Sequence, residues 1–275
     1  MSREKEWVKQ RYGAIASQAK QTCCGDAPSC CPAAPGVAQH IGYSPEDIAG
    51  LPEGAVPSLG CGNPLARAVI SPGDTVLDLG CGAGFDVFLA AARVGPAGRV
   101  IGIDLTPEMI EQARSNAARS GSTNVEFRLG DIESLPVEDA SVDLVISNCV
   151  LVLVPDKAKA FREIVRVLKP GGRIAIADIV LDGPLPDMLQ ADADAYCSCI
   201  AGAIPRGRYL AALSAAGIED VEIVSEADAA DLLAGDCSST GVSASDLRGV
   251  VTSLQVTGRR PASCGPDCVP AGDSS

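Results

Sequence analysis

Apolar and polar positions change their spacing several times along the chain. The first twenty residues are rich in Lys, Arg, Glu and Gln and read as an amphipathic helix. From Thr22 to Gly36 the spacing dissolves into TCCGDAPSCCPAAPG, which reads as a loop. Ser44 before Pro45 then predicts the N-cap of a short helix. From Asp74 onward, short apolar runs alternate with glycine turns and amphipathic stretches. TVLDLG (75–80), RVIGID (99–104), VEFRLGD (125–131), VDLVISN (142–148) and RIAIAD (173–178) read as buried strands. Helices are expected after Gly84, over TPEMIEQARSNAARSG up to Gly121, over DKAKAFREIVRVLKPGG (156–172) and over RGRYLAALSAAG (206–217), with VTSLQVTG (251–258) as a late strand. Continuous apolar strands separated by helices imply an α/β fold, a parallel sheet covered on both faces. The expected divisions are a helix and cysteine-rich segment over 1–70 and the core over 71–181. A region over 182–260 completes the sheet, and a disordered cysteine-containing tail covers 261–275.

Composition narrows the chemistry. A net charge of −13 repels phosphate backbones, so nucleic acid is not expected as a partner. The most apolar stretch, Val145 to Val154, is too short to span a bilayer, and the charged N-terminus does not resemble a secretory signal. A cytoplasmic monomer with no membrane association is the expectation. Structural disulfides are rare in that compartment, so the 12 cysteines are read as soft ligands, redox groups or core residues. His40 is the single histidine, which removes most catalytic triads and multi-His metal sites.

LDLGCGAGFD (77–86) joins the first strand to its helix, and Gly80, Gly82 and Gly84 allow a tight turn and close approach to a ligand. The spacing is G-x-G-x-G, not the G-x-G-x-x-G of a nicotinamide site, and Asp78 precedes it. Asp104 and Asp131 end the next two strands. Three acids thus stand at the carboxyl ends of neighbouring strands, where open α/β sheets bind ligands. The set resembles the class I S-adenosylmethionine-dependent methyltransferases over roughly residues 70 to 180. The D-x-G-x-G-x-G loop, the acid after strand two, the G-D-x-x-x-L-P segment and the V-L-K-P-G-G helix end are all present. That resemblance implies a Rossmann-like, mostly parallel seven-stranded sheet. It places the donor's ribose on Asp104, its adenine against Asp131 and Ile132, and its methionine part along the loop of Asp78, Gly80, Cys81, Gly82 and Gly84. Leu105, Met109 and Asn148 complete the implied donor site.

The cysteines point to the acceptor. Cys61 lies in LGCGNP, Cys149 in SNCVLVLVPDK at the end of strand four, and Cys199 in YCSCIAGAI beyond strand five. Three convergent thiolates without histidine suit a soft, thiophilic centre such as trivalent arsenic, whose lone pair is itself the nucleophile. At GCG (60–62), S-N-C-V-L (147–151) and C-I-A-G-A (199–203) the chain resembles the arsenite methyltransferases, and the likeness runs from about residue 7 to 258. It implies arsenic bound by Cys61, Cys149 and Cys199, and methylated arsenicals as products. It also implies a disulfide between Cys61 and either Cys23 or Cys24 during turnover, reset by thioredoxin or glutathione.

Val152 departs from the family, which usually carries Asn there. Cys197 competes with Cys199 as the ligand. Cys81 reads as a packing residue inside the loop, Cys237 as structural, and Cys30, Cys31, Cys264 and Cys268 as accessory thiols. CCGDAPSCC has poor zinc spacing. Trp7 and Tyr12 read as packing residues of the first helix. Two other functions fit the same motifs less completely: a C- or O-methyltransferase with incidental cysteines, and a non-catalytic arsenic-sequestering protein.

Overall fold

The computed structural model describes residues 2–19, 35–52, 54–55, 60–190, 192–233 and 243–262. Three helices come first: α1 (Arg3–Ala19), α2 (Pro35–His40) and α3 (Pro45–Ala49). The α/β core follows as β1 (Thr75–Leu79), α4 (Phe85–Val94), β2 (Arg99–Asp104), α5 (Pro107–Ser120), β3 (Val125–Leu129), β4 (Val142–Asn148), α6 (Lys157–Val167) and β5 (Leu168–Leu181). The remaining elements are α7 (Asp187–Gln190), α8 (Ala193–Cys197), α9 (Arg206–Ala215), β6 (Glu219–Asp228), α10 (Ala230–Leu233), α11 (Ala244–Leu247) and β7 (Val251–Arg259).

The strands form one seven-stranded sheet in the order β3-β2-β1-β4-β5-β7-β6. β1 to β5 run parallel, and β7 pairs antiparallel with both β5 and β6. Side chains alternate between two buried faces, as the period of two requires. Leu77, Leu79, Ile101, Ile103, Val145, Ile174 and Ile176 face α6 and α9, where Phe161 and Tyr209 stack edge to face at 5.4 Å. Val76, Val100, Phe127, Leu144 and Ile146 face α4 and α5. A third apolar cluster caps the carboxyl ends of β4 and β5 and contains Cys61, Cys149 and Cys199.

Two expectations are corrected. The helix predicted over 156–172 ends at Val167, because Pro170 disfavours helical backbone at Lys169; Leu168 leaves the helix and pairs with Val142. The other concerns the strands that the pattern locates: the seventh strand implied by the resemblance, β6, escapes it, because EDVEIVSEAD is an edge strand exposed along most of its length and lacks the apolar run that marks the inner strands. The cap at Ser44 forms as expected, in a reciprocal capping box with Asp47. The predicted C-terminal tail lies outside the described residues.

Candidate active site

The glycine loop turns where β1 ends. Gly80 has φ +68°, and a Cβ there would lie 2.4 Å from Val150 Cγ2. Gly82, at φ +51°, would meet nothing within 4 Å, so the turn leaves open space at its tip. Two acceptors from β2 hold the loop. Ile103 O accepts from Gly80 N at 2.7 Å and Cys81 N at 2.9 Å, and Asp104 Oδ2 accepts from Gly82 N at 2.9 Å. Asp104 Oδ1 also accepts from Thr106 N at 2.8 Å. Cys81 is buried against Gly102, which makes it the packing residue its position suggested.

Asp78, Asp86 and Asp104 crowd this turn. Burial, and then the charges of Asp86 and Asp104, push the Asp78 carboxyl far above its usual range. Burial pushes Asp86 up to about 6, against the opposing hydrogen bonds from Tyr43 and Asn148. The open space at the Gly82 tip, beside these carboxyls, is where the resemblance places the methionine part of S-adenosylmethionine. Met109 and Ile132 are buried around the predicted adenine side. Asp131 is 36% exposed and is bonded to Lys5 Nζ at 2.6 Å; the same ammonium reaches Glu133 at 2.8 Å.

The acceptor side is built from three separate segments. Asn148, at the end of β4, holds the loop that carries Cys61: its Oδ1 accepts from Cys61 N at 3.1 Å and Gly62 N at 3.4 Å, while Nδ2 donates to Gly62 O at 2.8 Å. Nδ2 also contacts the Tyr43 hydroxyl at 3.1 Å, and that hydroxyl donates to Asp86 Oδ1 at 2.7 Å. A polar chain therefore links the donor turn to the Cys61 loop. Ser253 Oγ, from β7, donates to Cys61 O at 2.6 Å.

Cys149 and Cys199 both sit in left-handed backbone, at φ +58° and +65°. Such strain, about 1–3 kcal/mol per residue, persists only where the surroundings over-determine it, and it concentrates at functional sites. The Cys199 thiol donates to Cys149 O at 3.4 Å. Sharing its own thiol proton with the Cys199 and Cys61 sulfurs, and then burial, raises the Cys149 thiol well above its usual value. Burial is the main cause of the rise at Cys61. Cys61 and Cys199 are thus both neighbours of Cys149. Among the described residues no three His, Cys, Asp or Glu side chains are arranged to hold a metal ion. Cys197, pushed up to about 11 by burial, stands beside Arg11 and Asp194 instead. Cys199 is thus the member of the pair that reaches Cys149. Cys23, Cys24, Cys30, Cys31, Cys237, Cys264 and Cys268 lie outside the described residues.

Helix α1 covers both halves. Trp7, Val8 and Tyr12 pack on the thiol cluster, Trp7 meets Tyr196 edge to face at 6.2 Å, and the Tyr12 hydroxyl donates to Cys197 O at 3.2 Å. Packing was the expectation for Trp7 and Tyr12; their place above the thiols was not legible, because helix spacing does not say which surface a helix covers. Lys5, Tyr43, Asp86, Lys157 and Asp178 also escaped sequence reading. Asp178, within β5, is pushed up to about 7 by burial, against the opposing charge of Lys157 and a hydrogen bond from Tyr209.

The raised acids make stability depend on pH. Asp86 and Asp178 keep protons in the fold that the unfolded chain releases above about pH 4. Their contribution therefore falls as pH rises from about 4 and is fully lost above about pH 7. Melting temperatures measured from pH 4.5 to 8 should show a shallower decline in Asp178→Asn than in the wild type; an identical slope would contradict the assignment.

A methyltransferase-domain family model matches residues 70–231. An arsenite methyltransferase of Halobacterium salinarum is 46% identical over 268 residues, covering 94% of this chain and 67% of that protein. The chain belongs to the arsenite methyltransferase family. The human arsenite methyltransferase is 36% identical over 138 residues, which is 47% of this chain and 37% of that protein. An arsenic(III) S-adenosylmethionine methyltransferase structure from Chlamydomonas reinhardtii superposes with a TM-score of 0.61 at 30% identity, covering 84% of this chain and 75% of that one. The fold is that of the class I S-adenosylmethionine-dependent methyltransferases. No described helix is long and apolar enough to cross a membrane.

Proposed function

We propose that this member of the family transfers methyl groups from S-adenosylmethionine to trivalent arsenic held by Cys61, Cys149 and Cys199. The observation that carries the reading is the meeting of three buried thiols, from three separate segments, beside an acid-lined glycine turn. Free thiols suit arsenite. Each As–O bond exchanged for As–S passes a thiol proton to the departing hydroxide, so water leaves. The lone pair on arsenic then needs no general base, and the chain's one histidine, His40, is exposed at the end of α2.

S-adenosylmethionine supplies an electrophilic methyl group on a sulfonium. Asp104 and the Gly80–Gly84 turn hold it, Asp131 and Ile132 border its adenine, and the acids around Asp78 favour its positive charge. The apolar cover of Trp7 and Tyr12 keeps water from the thiols. Holding both reactants in line contributes much of the acceleration.

Methyl transfer leaves arsenic pentavalent. The thiol of Cys23 or Cys24 then attacks the Cys61 sulfur and loses its proton. An S–S bond forms, the As–S bond breaks, and its electron pair returns arsenic to the trivalent state. Thioredoxin or glutathione reduces the disulfide, which suits a cytoplasmic, monomeric enzyme. Two observations weigh against the alternatives. The likeness to the demethylmenaquinone methyltransferase of Lactococcus lactis extends over only 102 residues, 37% of this chain. The donor turn is also fully formed, which a protein that only sequesters arsenic does not require.

The test is arsenic speciation by chromatography with mass detection, after incubation with arsenite, S-adenosylmethionine and a thiol reductant. Cys61→Ser should lose the first methylation far more than the second, because methylarsenite already carries one carbon and needs two thiols. Equal loss at both steps would contradict the role of Cys61.

A further inference from the structure

The loop 149–154 carries Cys149 and is held by its backbone from two sides. From below, Lys157 Nζ donates to Val152 O at 2.9 Å and to Val154 O at 3.1 Å. The N–H groups of Val152 and Ile179 lie near the Asp178 carboxylate, whose Oδ2 accepts from the Tyr209 hydroxyl at 3.1 Å while the buried Oδ1 has no hydrogen-bond partner. From the other side comes the segment that carries Cys199. Tyr196 donates its hydroxyl to Leu153 O at 2.8 Å, and Cys199 donates its thiol to Cys149 O. Gly202 presses on the same peptide: a Cβ there would stand 2.2 Å from Val152 O.

The Val152 peptide is therefore where the supports of both thiol-bearing segments meet. Its carbonyl takes the Lys157 ammonium and backs Gly202; its N–H faces Asp178. Lys157 is half-buried, and an ammonium drawn out of water persists when a nearby carboxylate compensates it. Asp178 and Lys157 lie within electrostatic reach of each other; Asp178 also acts on the Cys61 thiol, and Lys157 lies within reach of the Cys199 side chain. Neither residue is needed as an acid, a base or a ligand in the reaction.

We propose that Lys157 and Asp178 are positioning residues for the arsenic site: by clamping the Val152 peptide, they fix the separation of the Cys149 and Cys199 thiols. This rests on the three-thiol reading. The clamp also shows how an apolar side chain is accommodated at position 152, since the backbone, not the side chain, carries the contacts that matter.

The test uses the full chain. Trp7, its only tryptophan, lies against Tyr196 at the thiol cluster, so its fluorescence reports arsenite binding. S-adenosylhomocysteine affinity, measured by calorimetry, reports the donor site. The double variant Lys157→Met/Asp178→Asn removes both buried charges together, which avoids stranding either one. It should bind S-adenosylhomocysteine as the wild type does, but bind arsenite about tenfold or more weakly. KM for arsenite should rise by the same factor with KM for the donor unchanged. Lys157→Arg, which keeps the charge, should recover part of the loss. If the double variant does not fold, Gly202→Ala displaces the same peptide from the other side and should show the same arsenite-selective loss. Arsenite affinity within twofold of wild type in a folded variant would overturn the clamp. A wild-type chain that binds S-adenosylhomocysteine but not arsenite would instead overturn the three-thiol reading on which the clamp rests.

Discussion

Replacing Cys149 by serine should lower kcat/KM for arsenite at least about a hundredfold while leaving S-adenosylhomocysteine binding unchanged. A factor of a hundred corresponds to about 2.7 kcal/mol, which is modest for removing one of three soft ligands from a thiophilic centre. A hydroxyl is smaller and harder than a thiolate, so it leaves arsenic with an oxygen ligand or a vacant position. Cys149 is the most exposed to this loss because it stands between the other two thiols. Cys199→Ser should behave alike. Cys197→Ser is the control: Cys197 neighbours Arg11 and Asp194, and its removal should leave turnover nearly intact. Steady-state rates with each variant, alongside calorimetry, check the pattern. Activity near wild type in Cys149→Ser would remove the thiol chemistry altogether.

Asp104→Ala should weaken donor binding by about a hundredfold and leave arsenite binding to Trp7 fluorescence unaltered. Asp104 makes two hydrogen bonds that shape the turn, to Gly82 N and Thr106 N, and the resemblance assigns it the ribose as well. Hydrogen bonds to a charged group contribute about 1.5–3 kcal/mol each, and about 1.4 kcal/mol corresponds to a factor of ten in affinity. The loss of two such contacts predicts the hundredfold effect. Calorimetric titration with S-adenosylhomocysteine measures it, and a loss below about threefold would show that Asp104 serves only the backbone.

The inner sheet was legible because each of its strands is a short apolar run closed by glycine or an acid. β6 was not, since an exposed edge strand carries no such run. The glycine turn, Asp104 and Asp131 stood out as motifs along the chain. Cys61, Cys149 and Cys199 stood out because their neighbours form recognisable strings. The supports did not. Asp86 acts through Tyr43, 43 residues away, and Asp178 through Tyr209, 31 residues away. Lys157 looks like the first residue of an amphipathic helix and gives no sign that its ammonium is buried beneath a loop. Asn148 reads as a donor contact, yet its amide is engaged in holding the Cys61 loop. Local spacing reveals groups that act where they stand; groups that act through a partner become visible only when the fold supplies the partner.

The central claim is that three thiols bind one arsenic atom, and the most direct measurement is arsenic X-ray absorption on the protein loaded with one equivalent of arsenite. The account predicts an all-sulfur shell of about three neighbours in the wild type, with one sulfur replaced by oxygen or lost in Cys149→Ser. An oxygen-containing shell in the wild type, or an unchanged shell in the variant, would contradict it.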